Sequence, residues 1–268
     1  MQTWEPKEAY PQLIEAVEAA TSLEDLRAVC AQICTVFGFD FYFFGMILPT
    51  TLVEPDMVML TNYPSAWVER YQANNYTSFD PVIQHCTTNS APILWEEIHP
   101  FEKRDLKVRK FMNDARSFGL RAGMSCSVNS PSGVFSIFSL ACQNDNEDNL
   151  SRIRASSPFV FSLSHYFYNA INKIVINCSV SSTLTKLTER EKECLLWAAE
   201  GKTSWETAMI LGVSNCTVAF HLRNSMTKLG SKTKSHAVAR AVSLGIFTKQ
   251  SICTAQVNKE SKPPTMAD

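Results

Sequence analysis

The 268-residue sequence lacks the segments that would direct it to a membrane or a secretory route. Its N-terminus, MQTWEPKEAY, has no basic start followed by an apolar run, so we expect no signal peptide. The most apolar stretch, FGFDFYFFGMIL, is too short for a membrane span and contains Asp40. We therefore expect a cytoplasmic protein with no membrane partner.

The sequence also lacks the common signatures of metal binding and catalysis. None of its nine cysteines falls in a C-x-x-C pair, and Cys30 and Cys34 lie in an apolar helical pattern, which indicates buried thiols. No G-x-S-x-G motif or phosphate-binding loop is present. His85 and Cys86 are adjacent, but neighbouring helical residues point about 100° apart and do not form a catalytic pair. We expect no enzyme, no metal site and no cofactor.

Acidic residues are absent from Thr207 to Gln250, whereas six basic residues occur there. Residues 1–185 carry 13 Lys and Arg against 19 Asp and Glu, a net charge of −6. Residues 186–250 carry 10 against 5, a net charge of +5. This asymmetry predicts that the C-terminal part binds a polyanion.

Residues 1–176 mix helix and strand signals. Ser22 and Gly38 bracket a helical pattern, and Asp80-Pro81 is typical of a helix start. The strand-like segments FDFYFFGMIL and DMVML precede two more, AGMSCSVN and VFSIFSLAC, which flank the turn SPSG. A long helix is expected to break or start at Pro158. The pattern predicts an α+β protein whose N-terminal domain is an α/β/α sandwich with an antiparallel sheet.

Three further segments follow. Residues 177–186, NCSVSSTLTK, are polar and aperiodic and predict a linker, and residues 250–268 predict a disordered tail. Residues 187–249 form only helical patterns, with capping boxes at Thr188/Glu191 and Thr203/Glu206.

Within this helical domain, a short helix, Gly212 and the cap Ser214 predict a helix-turn-helix with Val218, Leu222 and Met226 facing inward. The opposite face carries Asn215, Thr217, Ala219, Arg223 and Lys228. Arg223 is the candidate for reading guanine edges in double-stranded DNA. The candidates for phosphate contacts are Lys202, Thr203, Asn215, Thr217, His221 and Lys228. A basic bundle helix without a nucleic-acid role is the alternative.

An aromatic stretch, TNYPSAWVERYQANNYTSFDP, places Tyr63, Trp67 and Tyr71 four residues apart ahead of Asp80. At helical pitch the three rings share one face. Such a stripe forms either ordinary core or the wall of a small-molecule site, and Asp80 fits either a helix cap or a binding carboxylate.

The segment from Leu187 to Gly230 resembles the DNA-binding domain of LuxR-type transcriptional regulators. The family's hallmark Glu, Leu and Gly match Glu191, Leu195 and Gly201. Ala219 departs from the Asn or Arg that many members carry early in the recognition helix, which places the base reading on Arg223. The resemblance implies a homodimer on an inverted-repeat promoter and recruitment of RNA polymerase, as activator or repressor.

The segments NYPSAWVERYQANNYTSFDP and HCTTNSAPILWEE resemble the autoinducer-binding domain of the quorum-sensing subgroup, nearest the branch typified by LasR. The resemblance implies an N-acyl homoserine lactone as signal ligand. It assigns the lactone carbonyl to Trp67, the amide carbonyl to Tyr63, the amide N–H to Asp80, ring packing to Trp95, the amide or a chain substituent to Ser139, and the acyl channel to Tyr71. Gly123 matches a family glycine where backbone passes close to another element. A solo regulator of the same architecture that senses a different small molecule is the alternative.

Overall fold

The computed structural model describes residues 6–48, 55–98, 100, 104–130, 133–180, 187–244 and 246–247. These residues divide into two compact units, and the main stretch of the second begins at Ile176. The predicted domain limits remain a prediction, because residues 181–186 of the linker and the tail 250–268 lie outside the described residues. No helix within the described ranges is long and apolar enough to cross a membrane.

The first unit contains a five-stranded sheet and six α-helices in its described residues. The strands are β1 (Phe41–Leu48), β2 (Asp56–Thr61), β3 (Ile93–Leu94), β4 (Ala122–Asn129) and β5 (Phe135–Cys142), in the order β2-β1-β5-β4-β3. The helices are α1 (Pro6–Ala19), α2 (Leu23–Phe37), α3 (Ser65–Ala73), α4 (Pro81–Thr88), α5 (Leu106–Ser117) and α6 (Glu147–Val180). Short 3₁₀ helices lie at Tyr76–Ser78 and Trp95–Ile98.

The sheet separates two cores, because successive strand residues point to opposite faces. One face, with Phe44 and Phe138, packs with the apolar sides of α1, α2 and α6. The other face, with Phe43 and Ile137, packs with α3, α4 and α5. The predicted α/β/α sandwich with an antiparallel sheet is therefore confirmed.

Local signals in the sequence account for several element ends. Ser22 and Asp25 form a capping box at the start of α2, and Gly38 ends this helix with φ of 70°. The predicted hairpin is present: β4 and β5 pair antiparallel, and the Ser130 N–H donates to the Val134 carbonyl at 2.9 Å. Residues 131–132 of its turn are outside the described part of the chain.

The predicted break at Pro158 is wrong, since α6 continues through this residue from Glu147 to Val180. Proline removes one backbone hydrogen bond from a helix interior. The burial of Val160, Leu163 and Phe167 against the sheet offsets that loss, because tertiary packing supplies most of a helix's stability. The last four residues of α6, 177–180, fall in the segment predicted as linker.

The second unit contains α7 (Glu189–Ala199), α8 (Ser204–Leu211), α9 (Asn215–Lys228) and α10 (Lys234–Ser243). Both predicted capping boxes are present at the starts of α7 and α8. Gly212 ends α8 with φ of 67°, and Ser214 caps α9. Val218 and Leu222 are buried and Met226 is partly buried, which confirms the predicted inward face of the second helix.

Candidate functional site

A cavity of about 260 Å³ lies between the sheet and helices α3, α4 and α5 of the first unit. Its lining is mostly apolar and aromatic. All six residues predicted to bind ligand line this one cavity: Tyr63, Trp67, Tyr71, Asp80, Trp95 and Ser139. Three separate stretches of sequence supply them, and the fold brings them together.

Asp80 is the buried carboxylate of the cavity. Its Oδ1 accepts the Val82 N–H at 2.8 Å, which makes it the predicted cap of α4, and its Oδ2 accepts the Tyr71 hydroxyl at 2.9 Å. Burial raises the pKa of Asp80 to about 6, against the opposing effect of these hydrogen bonds. The cap and the cavity-lining carboxylate are the same group, so the two interpretations of Asp80 are compatible.

Tyr63 and Tyr71 flank the polar end of the cavity. Burial, together with the nearby Asp80 carboxylate, raises the pKa of both phenols above the ordinary value. A phenol of ordinary pKa, near 10, is already protonated at neutral pH, so both hydroxyls can donate there. Tyr71 was predicted to line the acyl channel, and the structure adds a hydrogen bond that orients Asp80.

Trp67 anchors the helical wall of the cavity. Its ring lies 5.7–5.9 Å from those of Tyr71, Tyr76, Phe111 and Phe118. Offset and edge-to-face arrangements of this kind stabilise aromatic clusters. The stripe of rings in the sequence is therefore both core and cavity wall.

A chain of hydrogen bonds on the sheet orients Ser139. The Trp95 indole N–H donates to Ser125 Oγ at 3.0 Å, and Ser125 Oγ lies 2.7 Å from Ser139 Oγ. Both serine side chains are buried, and either hydroxyl can donate in the bond between them. Ser139 also lines the cavity, so its hydroxyl is placed to contact a polar atom there.

Gly123 sits where the backbone of β4 runs close to its neighbours. A Cβ at this position would lie 2.5 Å from the Leu140 carbonyl oxygen and 3.0 Å from the Trp95 ring. The predicted close approach at Gly123 is confirmed, and it leaves room for the Trp95 ring.

Ser125 and several apolar residues of the cavity wall were not predicted from the sequence. The apolar ones include Phe111 and Met112 on α5 and Leu120. Alternate residues of a strand share one face, so Ser125 lies on the same face of β4 as Gly123. This alternation could have identified Ser125 from the sequence. For α5, its amphipathic pattern indicates burial but does not say against which surface.

In the second unit, helices α8 and α9 form the candidate nucleic-acid interface. Asn215, Ala219 and Arg223 are exposed on α9, while Thr217 and His221 are half-buried there. Lys202 and the exposed Thr203 lie at the start of α8. The Thr203 hydroxyl also donates to Glu206 at 2.8 Å, as part of the capping box. The DNA roles of these residues stay predictions.

Lys228 forms an ion pair with Glu191 that was not predicted from the sequence. Its Nζ donates to Glu191 Oε2 at 2.8 Å, and this oxygen also accepts the Thr188 N–H at 2.7 Å. Burial opposes ionisation of Glu191, but the Lys228 ammonium and the Thr188 N–H lower its pKa overall. The pair ties the end of α9 to the start of α7, and the predicted phosphate contact of Lys228 stays a prediction.

The thiols of Cys30 and Cys34 are buried, as predicted. Burial raises the pKa of Cys34 to about 12, which keeps the thiol protonated. Within the described part of the chain, no group of three or more His, Cys, Asp or Glu side chains is arranged to hold a metal ion.

Two family models match the sequence. An autoinducer binding domain matches residues 22–171, and a domain of bacterial regulatory proteins of the luxR family matches residues 185–241.

Known proteins match along nearly their whole lengths. The transcriptional activator AnoR of Acinetobacter nosocomialis is 35% identical, over 92% of this chain and 100% of its own. The transcriptional activator LuxR of Aliivibrio fischeri strain ES114 is 28% identical over 88% and 94%. The crystal structure of Escherichia coli SdiA superposes with a TM-score of 0.70 at 24% identity, over 90% of this chain and 99% of that one, and so shares the fold.

Proposed function

The chain belongs to the LuxR family of bacterial transcriptional regulators, with an autoinducer-binding domain and a DNA-binding helix-turn-helix domain, and on this premise we propose that its signal ligand is an N-acyl homoserine lactone bound in the cavity of the first unit. It is a regulator and not an enzyme, as expected from the sequence. The convergence of six predicted residues on one cavity around a buried carboxylate supports the ligand class most directly.

The cavity offers complementary groups for the amide N–H, the amide carbonyl and the lactone carbonyl of such a ligand. The free lone pairs of Asp80 accept the amide N–H, since an unpaired buried N–H costs about 1–3 kcal/mol. Tyr63 donates to the amide carbonyl and Trp67 to the lactone carbonyl, while Trp95 packs against the lactone ring. Ser139 contacts the amide or a substituent of the acyl chain, and the apolar lining takes the acyl chain. These assignments carry the family resemblance onto the residues of this chain.

We further propose that the ligand-bound protein is a homodimer on an inverted-repeat promoter site. A single helix-turn-helix contacts few base pairs, and two-fold symmetry matches half-sites about 10 bp apart. Arg223 reads base edges, and the basic residues of the second unit contact phosphates. We also propose that the protein acts in the cytoplasm and regulates transcription by recruiting RNA polymerase. The relatives AnoR and LuxR are named transcriptional activators, which favours activation over repression. The place of this chain in the branch typified by LasR stays a prediction.

Thermal unfolding of the purified protein with a series of acyl homoserine lactones tests the ligand class. Ligand that binds only the folded state raises the melting temperature by mass action. We expect a rise that depends on chain length and is absent with the ring-opened control. A folded protein that responds to no lactone would favour the solo regulator that senses another small molecule.

The dimer is tested separately, by analytical ultracentrifugation on an operator duplex with saturating ligand. We expect two protein chains per duplex. One chain per duplex would contradict the proposal for the dimer and leave the ligand assignment standing.

A further inference from the structure

Tyr76 lies behind the residues that are predicted to bind ligand. It is 1% exposed and lies outside the cavity lining. Its backbone carbonyl accepts the Asp80 N–H at 2.8 Å, and its ring lies 5.8 Å from that of Tyr71 and 5.9 Å from that of Trp67. One buried residue outside the cavity therefore contacts three of the predicted ligand-binding residues.

The Tyr76 hydroxyl is tied to a carboxylate on another helix. It donates to Asp114 Oδ2 on α5, 38 positions further along the chain. The same oxygen accepts hydrogen bonds from Nε and Nη2 of Arg70 on α3, each at 3.1 Å. Asp114 thus joins α5 both to Tyr76 and to the helix that carries Trp67 and Tyr71.

Within this cluster, the bond between Tyr76 and Asp114 is the more important one. The side chain of Asp114 is 17% exposed and that of Arg70 is 47% exposed, and a solvent-exposed ion pair contributes little. Burial opposes ionisation of Asp114, but the Tyr76 hydroxyl and Arg70 lower its pKa overall, so it is charged at neutral pH. A buried hydroxyl left without its acceptor is costly, and Tyr76 is the partner that is buried.

Regular secondary structure holds the segment before Asp80 only weakly. The 3₁₀ helix Tyr76–Ser78 has three residues and so few backbone hydrogen bonds of its own. Asn75 precedes it with φ of 50°, a left-handed conformation that persists in a non-glycine residue where the surrounding structure holds it in place. The position of the Asp80 backbone therefore depends on side-chain anchors, of which Tyr76 is the buried one next to it.

We propose that Asp114 is a positioning residue of the ligand site and acts through the Tyr76 hydroxyl. Tyr76 holds the backbone of Asp80 and so sets where the Asp80 carboxylate meets the ligand's amide N–H. Binding groups need to be held within about 0.5 Å of their productive positions, so a small shift of Tyr76 lowers affinity although neither Tyr76 nor Asp114 touches the ligand. This inference rests on the proposed ligand class.

Displacement of radiolabelled N-decanoyl homoserine lactone from the full-length protein measures the effect of Asp114→Ala. The Tyr76 hydroxyl then loses its acceptor and shifts towards another partner. The dissociation constant should rise about tenfold, the lower end of what a hydrogen bond to a charged acceptor contributes. Asn113→Ala is the matched control, since Asn113 is an exposed neighbour on α5 whose side chain bonds Arg116 of the same helix. It should leave the affinity unchanged.

A second substitution, Tyr76→Phe, should rescue Asp114→Ala. Phenylalanine keeps the ring contacts with Trp67 and Tyr71 and removes the unpaired hydroxyl. Replacing both partners of a buried hydrogen bond costs less than removing one, so the double variant should bind within about threefold of wild type. Tyr76→Phe alone should also weaken binding by about threefold, because the anchor is lost but no buried polar group is left over.

A comparison of two ligands separates positioning from general destabilisation. In the ester analogue α-decanoyloxy-γ-butyrolactone, an oxygen replaces the amide N–H that Asp80 is proposed to accept. Asp114→Ala should therefore weaken the amide about tenfold and the ester less than about twofold, each relative to wild type. A loosened fold would weaken both ligands equally.

Each outcome decides the proposal. An Asp114→Ala protein that binds the amide within about twofold of wild type would overturn it. A double variant no better than Asp114→Ala, or equal losses for amide and ester, would also overturn it. If Asp114→Ala does not fold, Tyr76→Phe carries the same test, since it should weaken the amide and leave the ester unchanged. If the wild-type protein binds neither ligand, the proposed ligand class itself fails, and this inference fails with it.

Discussion

Asp80→Asn separates the ligand-binding role of Asp80 from its role as a helix cap. Asparagine caps helices about as well as aspartate, so its carbonyl oxygen can still accept the Val82 N–H. The oxygen that accepts the Tyr71 hydroxyl is replaced by an NH₂ group, which is a donor. The variant keeps the shape of the side chain and removes the negative charge.

Ligand affinity should fall in this variant because the ligand's amide N–H loses a charged acceptor. A hydrogen bond to a charged group contributes about 1.5–3 kcal/mol. The dissociation constant should therefore rise by about 10- to 150-fold. In the wild-type protein, affinity should decline as the pH falls below about 6, where Asp80 becomes protonated in the ligand-free cavity.

Stability of the ligand-free protein should change in the opposite direction. The pKa of Asp80 rises from 3.8 to about 6 on folding, which corresponds to about 3 kcal/mol. Between these values the folded state binds more protons than the unfolded state, so this cost appears as the pH rises through 4 to 6. Asp80→Asn avoids the cost and loses the Tyr71 bond, worth about 1 kcal/mol, so the net gain at pH 7.5 is about 2 kcal/mol.

Titration calorimetry with N-decanoyl homoserine lactone, and urea unfolding without ligand at pH 5 and 7.5, measure both effects. Asp105→Asn is the control, because Asp105 caps α5 but is exposed and outside the cavity lining. A folded Asp80→Asn protein that binds the lactone within twofold of wild type would refute the role of the carboxylate. A variant less stable than wild type at pH 7.5 would refute the electrostatic reasoning.

Three other predictions concern separate parts of the molecule. Arg223→Ala should weaken operator binding in fluorescence anisotropy by about 1–3 kcal/mol, with the exposed Arg190→Ala as control, and unchanged affinity would remove Arg223 from base reading. Glu191→Gln should lower the free energy of unfolding of the DNA-binding domain in urea by about 1–3 kcal/mol, which is less than the loss of one partner costs in a fully buried ion pair. In the wild-type protein, the stabilisation by the Glu191–Lys228 pair should be lost as the pH falls below about 4.5. Additive effects of Glu191→Gln and Lys228→Met in a double-mutant cycle would contradict the coupling. Gly123→Ala should lower the melting temperature, with a cost of about 1–3 kcal/mol from overpacking, whereas a shift below 1 °C would show that the backbone can adjust.

Much of the architecture follows from local sequence signals. Caps such as Ser22 and Thr188 bond to backbone within three residues, so their geometry is encoded locally. Strand alternation in FYFFGMIL places Phe43 and Phe44 on opposite faces before any partner strand is known. The predicted break at Pro158 was wrong because the burial of α6 against the sheet outweighs the local tendency of proline to interrupt a helix.

By itself, the sequence determined the element types, the helix-turn-helix, the opposite charges of the two parts and the family. Only the tertiary structure decided which distant side chains meet: Ser125 beside Trp95, and Lys228 against Glu191. Local propensity depends on neighbours within a few residues, whereas these contacts join residues 30 and 37 positions apart, and it takes the packing of the whole domain to form them.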